Sequence, residues 1–240
     1  MFPSLSVPPI PMPDGVALHA PDGYLTVPVA LAMWALSVAV LALAVRRSNA
    51  TLDDRAVPLL GVMAAFIFAA QMVNFPVAFG TSGHLLGGVL AAVLLGPWGG
   101  TLVMTCVVGV QGLLFQDGGL LAMGANIFNM GIIGTLGGYA VYRVVAGALG
   151  GEDRARLPAA GIAAWLSVMA GATAMALQLV VSGAVPFELT LPAMLGVHAL
   201  IGIGEAAITV AALAFIGITR RELFNLRGRG AASRPQEQPR

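Results

Sequence analysis

Three histidines, His19, His84 and His198, are the side chains with the clearest capacity for metal chemistry. His84 follows the turn-forming run 80–83 and precedes an apolar, glycine-rich stretch, so a helix is predicted to start beside it. Imidazole is the commonest protein ligand for transition metals. A single histidine at a helix start can also be a cap or a surface residue, and this position alone leaves both roles open.

Polar side chains also interrupt the longer apolar stretches. His198 and Glu205 lie seven residues apart, and positions i and i+7 share one helix face. Ionisable groups inside a bilayer cost about 2.5–3.5 kcal/mol and face protein or water. We predict that the two form a hydrogen-bonded pair or contribute to a transport path. An intramembrane enzyme using both is the rival interpretation. Asn126 and Asn129 are predicted to hydrogen-bond between helices.

The composition is that of a membrane protein. Of the 240 residues, 58% are hydrophobic and 10% are charged, and the mean hydropathy is +0.88. A soluble domain carries about 25% charged residues. The sequence has no phosphate loop, GxSxG or HExxH motif, which argues against the soluble enzymes that use them. The single cysteine, Cys106, can form no internal disulfide.

Apolar stretches predict the elements that must position these residues. A membrane helix needs about 17–25 apolar residues. Seven stretches are predicted to cross the membrane, and the third is short enough to be a half-length or tilted helix that ends at Gly99-Gly100. The predicted fold is therefore an all-α integral membrane protein with about seven transmembrane helices. The stretches are 24–45, 57–79, 84–97, 101–115, 120–142, 158–181 and 192–218.

The two ends of the chain are predicted to lie outside the membrane domain, which spans residues 18–221. Residues 1–17 contain prolines at 3, 8, 9, 11 and 13, which prevent a helix. This segment lacks the basic start and apolar core of a signal peptide, and we expect it to be disordered or absent from the mature protein. Residues 222–240 are polar and basic and are predicted to form a disordered cytoplasmic tail.

The arginines predict one orientation in the membrane. Arginine in short loops marks the cytoplasmic side. With the N-terminus outside and the C-terminus inside, every loop arginine is cytoplasmic. The outer face then contains His19 and His84 together with acidic residues such as Asp22 and Asp117, and its field favours an incoming cation. The loop arginines are at 46, 47, 55, 143, 154, 156, 220 and 221.

Several sequence blocks resemble the CbiM/NikM family, the substrate-binding membrane subunits of energy-coupling-factor (ECF) importers for cobalt and nickel. Residues 19–25, HAPDGYL, are similar to the family's N-terminal Met-His-x-Pro-Asp-Gly-Phe/Tyr-Leu. A second block runs from QMVNFP at 71–76 to GTSGHLLGG at 80–88. Shorter matches lie at 95–98, 111–119 and 124–130. The resemblance covers roughly residues 18–220.

The resemblance implies a metal site formed by the free N-terminal amine, the backbone nitrogen and imidazole of the second residue, and a later histidine. His19 corresponds to the second residue and His84 to the later one. Four nitrogens in a plane suit Ni(II) or Cu(II), and Co(II) can be accommodated. Seventeen residues precede Leu18 in this sequence. We therefore predict that the mature chain starts at Leu18, by initiation at a leucine codon such as UUG or by proteolysis, and that Leu18 supplies the amine.

Neighbouring residues are predicted to support the two histidines. Asn74, Ser82 and Gly83 would orient the His19 segment and the His84 ring, as outer-shell partners do, although Asn74 could instead belong to a simple helix end. Asp22 is a further outer-shell candidate, and with Gly23 it is predicted to form the turn into the first helix rather than to bind the metal.

The resemblance implies a transporter subunit and not an enzyme. It would capture Co(II) or Ni(II) outside a bacterial or archaeal cell for ATP-driven uptake across the cytoplasmic membrane. The imported cobalt would then be used in cobalamin biosynthesis. Two separate ATPase subunits, a coupling transmembrane subunit and a small accessory membrane subunit are the implied partners. We expect no permanent cofactor and no nucleic-acid partner. An importer subunit for an organic micronutrient is the milder alternative, and the sequence does not choose cobalt over nickel.

Overall fold

The computed structural model describes residues 19–52, 56–72, 75–76 and 82–225, and the architecture is helical, as predicted. The strands in this part of the chain are a two-residue antiparallel pair, β1 Phe75–Pro76 and β2 Ser82–Gly83. The helices are α1 Val27–Thr51, α2 Ala56–Gln71, α3 Gly88–Leu114, α4 Met123–Asn126, a π-helix Ile127–Gly137, α5 Gly138–Ala148, α6 Glu152–Val181, α7 Phe187–Thr219 and a 3-10 helix Arg221–Asn225.

Among the described residues, four helices are long and apolar enough to cross a membrane, namely α1, α3, α6 and α7. The apolar part of α2 is shorter. α4, the π-helix and α5 follow one another without interruption from 123 to 148. The predicted total of seven crossings and the orientation of the termini stay predictions.

α3 folds back on itself at Gly96. This residue has φ 81° and ψ 162°, a conformation that glycine adopts readily, and Pro97 then starts a new helical run. A Cβ atom at Gly100 would lie 2.9 Å from the backbone nitrogen of Ala92, whereas eight residues of straight helix would span about 12 Å. The break predicted at Gly99-Gly100 therefore lies at Gly96-Pro97. Gly100 instead allows the two arms of α3 to pack closely.

The first arm of α3, residues 88–95, forms the centre of the bundle. Its side chains are buried throughout. Gly88 touches the π-helix so closely that a Cβ there would lie 2.8 Å from the carbonyl carbon of Gly134. Small residues allow helices to approach in this way. His84, which lies just before this arm, is thus attached to the most enclosed element of the fold. The α6 residues in the same core are Ala159, Ala160, Ala163 and Ala164.

Polar side chains inside the bundle bond to one another between helices. Asn129 and Gln178 exchange two amide hydrogen bonds, each of 2.9 Å, which join the π-helix to α6. The hydroxyls of Thr101 and Thr135 lie 2.6 Å apart. The predicted interhelical role of Asn129 is confirmed. Apolar side chains remain exposed on the periphery, as with Ile218 at 85%, which suits a surface surrounded by lipid.

The C-terminal end of the described chain packs against α6. The Arg156 guanidinium lies 4.1 Å from the ring centroid of Phe224, a cation–π contact. Residues 222–225 of the predicted tail therefore belong to an ordered turn. The rest of that tail and the predicted N-terminal segment 1–17 lie outside the described residues.

Candidate metal site

The structure brings His19 and His84 together. Their ring centroids lie 5.8 Å apart, the ring planes are inclined by 55°, and both rings line one cavity of about 610 Å³. Two imidazole nitrogens bound to one ion at about 2 Å each would place the ring centroids about 4.5–6.5 Å apart, depending on the angle at the metal. The spacing of the two rings is therefore within the range for sharing an ion.

Hydrogen bonds to the main chain hold the segment that carries His19. Asn126 donates from Nδ2 to the carbonyl of Ala20 and accepts from the Ala20 amide at Oδ1, both at 3.1 Å. Asp22 Oδ1 accepts from the amide of Ala122 at 2.9 Å, which anchors the turn before α1. The predicted bond from Asn126 to another helix is therefore wrong. Asn126 instead bonds to the main chain of the segment that precedes α1.

The His19 ring is enclosed, with its side chain 0% exposed. Its Nδ1 atom lies 3.2 Å from Oδ2 of Asp117. Within the described residues, neither ring nitrogen of His19 makes a hydrogen bond. Buried polar atoms in proteins are nearly always hydrogen-bonded, and an exception calls for an explanation such as a bound ion. Apart from the Asp117 carboxylate beside Nδ1, neither nitrogen has a partner in the described chain, and both can act as metal ligands.

Sequence reasoning missed Asp117 as a neighbour of His19. The turn was predicted, and the structure shows how it approaches the histidine. Gln116 has φ 56° and Gly118 has φ 101°, both left-handed. A Cβ at Gly118 would lie 2.8 Å from that of His19, and the Gly119 amide donates to the Ala20 carbonyl at 3.0 Å. Glycines signal a turn, but they do not reveal which distant segment it contacts.

The ring orientation of His84 follows from one short contact. Its Nδ1 atom lies 2.9 Å from the carbonyl oxygen of Leu85. A carbonyl only accepts, so Nδ1 carries the hydrogen and Nε2 is the nitrogen suited to a metal. Metal-binding histidines commonly donate their other ring N–H to such a group.

Two other helices hold the residues that follow His84. Glu205, 1% exposed in α7, accepts hydrogen bonds from the amides of Leu86 at 2.6 Å and Gly87 at 2.9 Å. Gln71 of α2 donates from Nε2 to the carbonyl of Leu86 at 2.8 Å. A carboxylate suits this place because the first amides of a helix lack intrahelical partners and carry partial positive charge.

The predicted His198–Glu205 pair needs correction, because the two side chains have separate partners. His198 Nδ1 contacts the carbonyl of Met194 at 2.8 Å, and the ring lines the same cavity as His19 and His84. Glu205 bonds instead to the start of α3. Seven residues of helix rise about 10 Å, which is too far for a direct bond.

Some predicted site residues lie outside the described residues, or are described only by their backbone. Leu18 and Asn74 are outside the described residues, and Ser82 and Gly83 are described only as the backbone of β2, which pairs with β1 and leads to His84. Within the described ranges, no group of three or more His, Cys, Asp and Glu side chains is arranged to hold a metal ion.

Comparisons with known proteins agree on transport. A family model described as CbiM, cobalt uptake substrate-specific transmembrane region, matches residues 19–223. A Haloquadratum walsbyi protein named for metal transport is 42% identical over 208 residues, covering 86% of this chain and 93% of that protein. The fused nickel transport protein NikMN of Rhodobacter capsulatus is 31% identical over 229 residues, covering 90% of this chain and 66% of that protein. A crystal structure of a transition metal transporter aligns with a TM-score of 0.77 at 30% identity, covering 90% of this chain and 100% of that chain.

Proposed function

The chain belongs to the CbiM family, and on this premise we propose that it captures Co(II) or Ni(II) as the substrate-binding membrane subunit of an importer. The observation that carries the proposal is the meeting of His19 and His84 at the wall of one cavity. The ion is the transported substrate and not a resident cofactor.

The proposed ligands are four nitrogens. They are the amine of Leu18 in a mature chain that starts there, the backbone nitrogen and Nδ1 of His19, and Nε2 of His84. An amine followed directly by histidine closes a five-membered and then a six-membered chelate ring through the intervening amide. Such a tetragonal nitrogen set suits Ni(II), and Co(II) can be accommodated. Two of these donors, the terminal amine and the amide nitrogen of His19, belong to the main chain.

Asp117 adds a negative charge beside this site. Its carboxylate lies 3.2 Å from Nδ1 of His19 and would sit close to an ion bound there. A buried carboxylate near a cation offsets part of the charge that burial makes unfavourable. Asp117 therefore attracts the ion and stabilises it after capture.

Transport needs partners that hydrolyse ATP, because the sequence has no nucleotide-binding motif. The proposed assembly is an ECF importer, with two ATPase subunits acting through a coupling transmembrane subunit and with a small accessory membrane subunit. The site would open to the outside of a prokaryotic cytoplasmic membrane, and cobalamin biosynthesis would be one use of the imported cobalt. Reorientation of the bundle would carry the ion inward.

The two rival functions fit less well. Both carboxylate oxygens of Glu205 accept backbone hydrogen bonds, which disfavours its use as an intramembrane catalytic base. The cavity volume lies within the range of about 300–1,000 Å³ that organic ligands occupy, so an organic micronutrient would fit by size. The paired imidazoles favour an ion instead.

Nickel binding by chains with defined N-termini tests the proposal. One chain starts Met-His19, a second keeps all the residues before His19 so that its terminal amine is remote from the imidazole, and a third is His84→Ala in the first background. We expect one bound ion for the first chain and affinity at least about tenfold lower for the other two. Intact-mass measurement of the natural protein identifies its mature start. Equal affinity of the first and second chains, or a natural mass that includes residues 1–17, would contradict the proposed ligand set.

A further inference from the structure

The cavity lined by His19 and His84, the two residues here called the capture site, also reaches the third histidine of the chain. His19, His84 and His198 all line it, the last from within α7. His198 is not part of the proposed capture site. Ionisable side chains in membrane-spanning helices are rare, and they mark ion or proton paths when they face a cavity. The position of His198 therefore calls for a role of its own.

The hydrogen bond of His198 prepares its ring for a metal. The carbonyl of Met194 lies 2.8 Å from Nδ1, so Nδ1 carries the hydrogen and Nε2 presents the lone pair. A backbone carbonyl that holds one ring N–H is the usual support of a metal-binding histidine. Met175 and Met194 line the same cavity, and their thioethers are neutral donors for a transition metal. The Met175 sulfur also accepts a hydrogen bond from Asn129 Nδ2 at 3.6 Å, which leaves it a second lone pair.

We propose that His198, assisted by the Met175 and Met194 thioethers, forms a second, transient binding site for the transported ion after it leaves His19 and His84. This inference rests on the proposed function. One imidazole with thioethers binds Ni(II) or Co(II) more weakly than four nitrogens. Weak binding suits a transit site, because conduction requires each site to release its ion. The His198 site therefore affects the rate at which the ion crosses the protein and not the affinity of its capture by His19 and His84.

The test separates uptake rate from equilibrium binding. His198→Ala and the neighbouring cavity-lining control Val197→Ala are each expressed in cells with the partner subunits, and the initial uptake of radioactive nickel is measured. Nickel affinity is measured on the same purified chains. We expect His198→Ala to lower the uptake rate by about tenfold and to leave the affinity unchanged within about twofold. Val197→Ala should match the parent in both.

Direct observation of the second site uses nickel X-ray absorption with the metal in excess. We expect a second bound ion with sulfur scattering, lost in His198→Ala and reduced in Met194→Leu. His198→Gln keeps a side chain of similar size. If the alanine variant is unstable, the same uptake and absorption measurements are made on His198→Gln. Parent-like uptake by His198→Ala or His198→Gln, with nickel binding still weakened by His84→Ala, overturns this inference and leaves the proposed function intact. Undiminished nickel binding by His84→Ala overturns the proposed function itself.

Discussion

At the scale of single residues, the Asp117 carboxylate lies 3.2 Å from Nδ1 of His19 and places a negative charge beside the candidate metal site. The sequence blocks at 19–25 and 80–88 predict His19 and His84, because both histidines have recognisable sequence surroundings. Asp117 had no such signal and appeared only as one of several acidic residues predicted on the outer face. Its proximity depends on how the 116–119 turn meets the chain at Ala20.

We expect Asp117→Asn to weaken nickel binding by about tenfold, because the variant removes a negative charge beside an ion bound at Nδ1 of His19. A tenfold change is about 1.4 kcal/mol, well within the interaction energy of two charges a few ångströms apart near a protein surface. The comparison is Glu188→Gln, which removes the same charge from an exposed residue at the start of α7. Nickel affinity of the two purified variants is the measurement. An equal loss in both would assign the effect to the general charge of this face and not to the contact with His19.

Gly118→Ala tests whether the turn positions His19. Gly118 has φ 101°, and an added Cβ would meet the His19 side chain at 2.8 Å. Gly183→Ala is a matched control, since Gly183 has φ 69° and open space within 4 Å of an added Cβ. Both variants lose about 1–2 kcal/mol from left-handed backbone strain. Only Gly118→Ala should also lose nickel affinity, and parallel behaviour of the two by thermal unfolding and by binding would contradict this role.

At the scale of elements, hydropathy predicted the apolar segments and misplaced several of their ends. The second segment was predicted to reach Phe79, whereas α2 ends at Gln71, whose amide bonds to the carbonyl of Leu86. The break inside α3 was expected at Gly99-Gly100 and lies at Gly96-Pro97. Both dipeptides favour a break, and the choice between them depends on packing of the two arms. Helical periodicity likewise placed His198 and Glu205 on one face but could not identify their partners.

Glu205→Gln tests the attachment of α3 to α7. A glutamine offers one acceptor oxygen and would place its NH₂ group against a backbone N–H of residue 86 or 87. Loss of one hydrogen bond to a charged group amounts to about 1.5–3 kcal/mol. We expect a lower midpoint of thermal unfolding in detergent and weaker nickel binding, since the segment after His84 loosens. Glu152→Gln breaks an exposed pair with Arg143 and should shift the midpoint by much less. Equal shifts would contradict the structural role of Glu205.

At the scale of the whole molecule, composition was enough to predict a helical membrane bundle, because apolar helices satisfy their own backbone in lipid. The interior depends on pairings that composition does not encode. The amide pair of Asn129 and Gln178 and the close approach of Gly88 to Gly134 each join elements far apart in the sequence. The metal site likewise joins His19 and His84, which are far apart in the sequence. Hydrophobic periodicity could not predict that contact, whereas the family motif did.

The predicted orientation of the bundle in the membrane follows from the positions of the loop arginines, and cysteine labelling can test it. Cys106, the single cysteine, is first replaced by alanine. Glu188→Cys and Arg154→Cys then place one thiol each at exposed positions predicted to lie outside and inside. A membrane-impermeant maleimide should label the first in intact cells and the second only after permeabilisation, because short arginine-containing loops stay in the cytoplasm. The reverse pattern would place His19 and His84 on the cytoplasmic side, where capture for import could not occur.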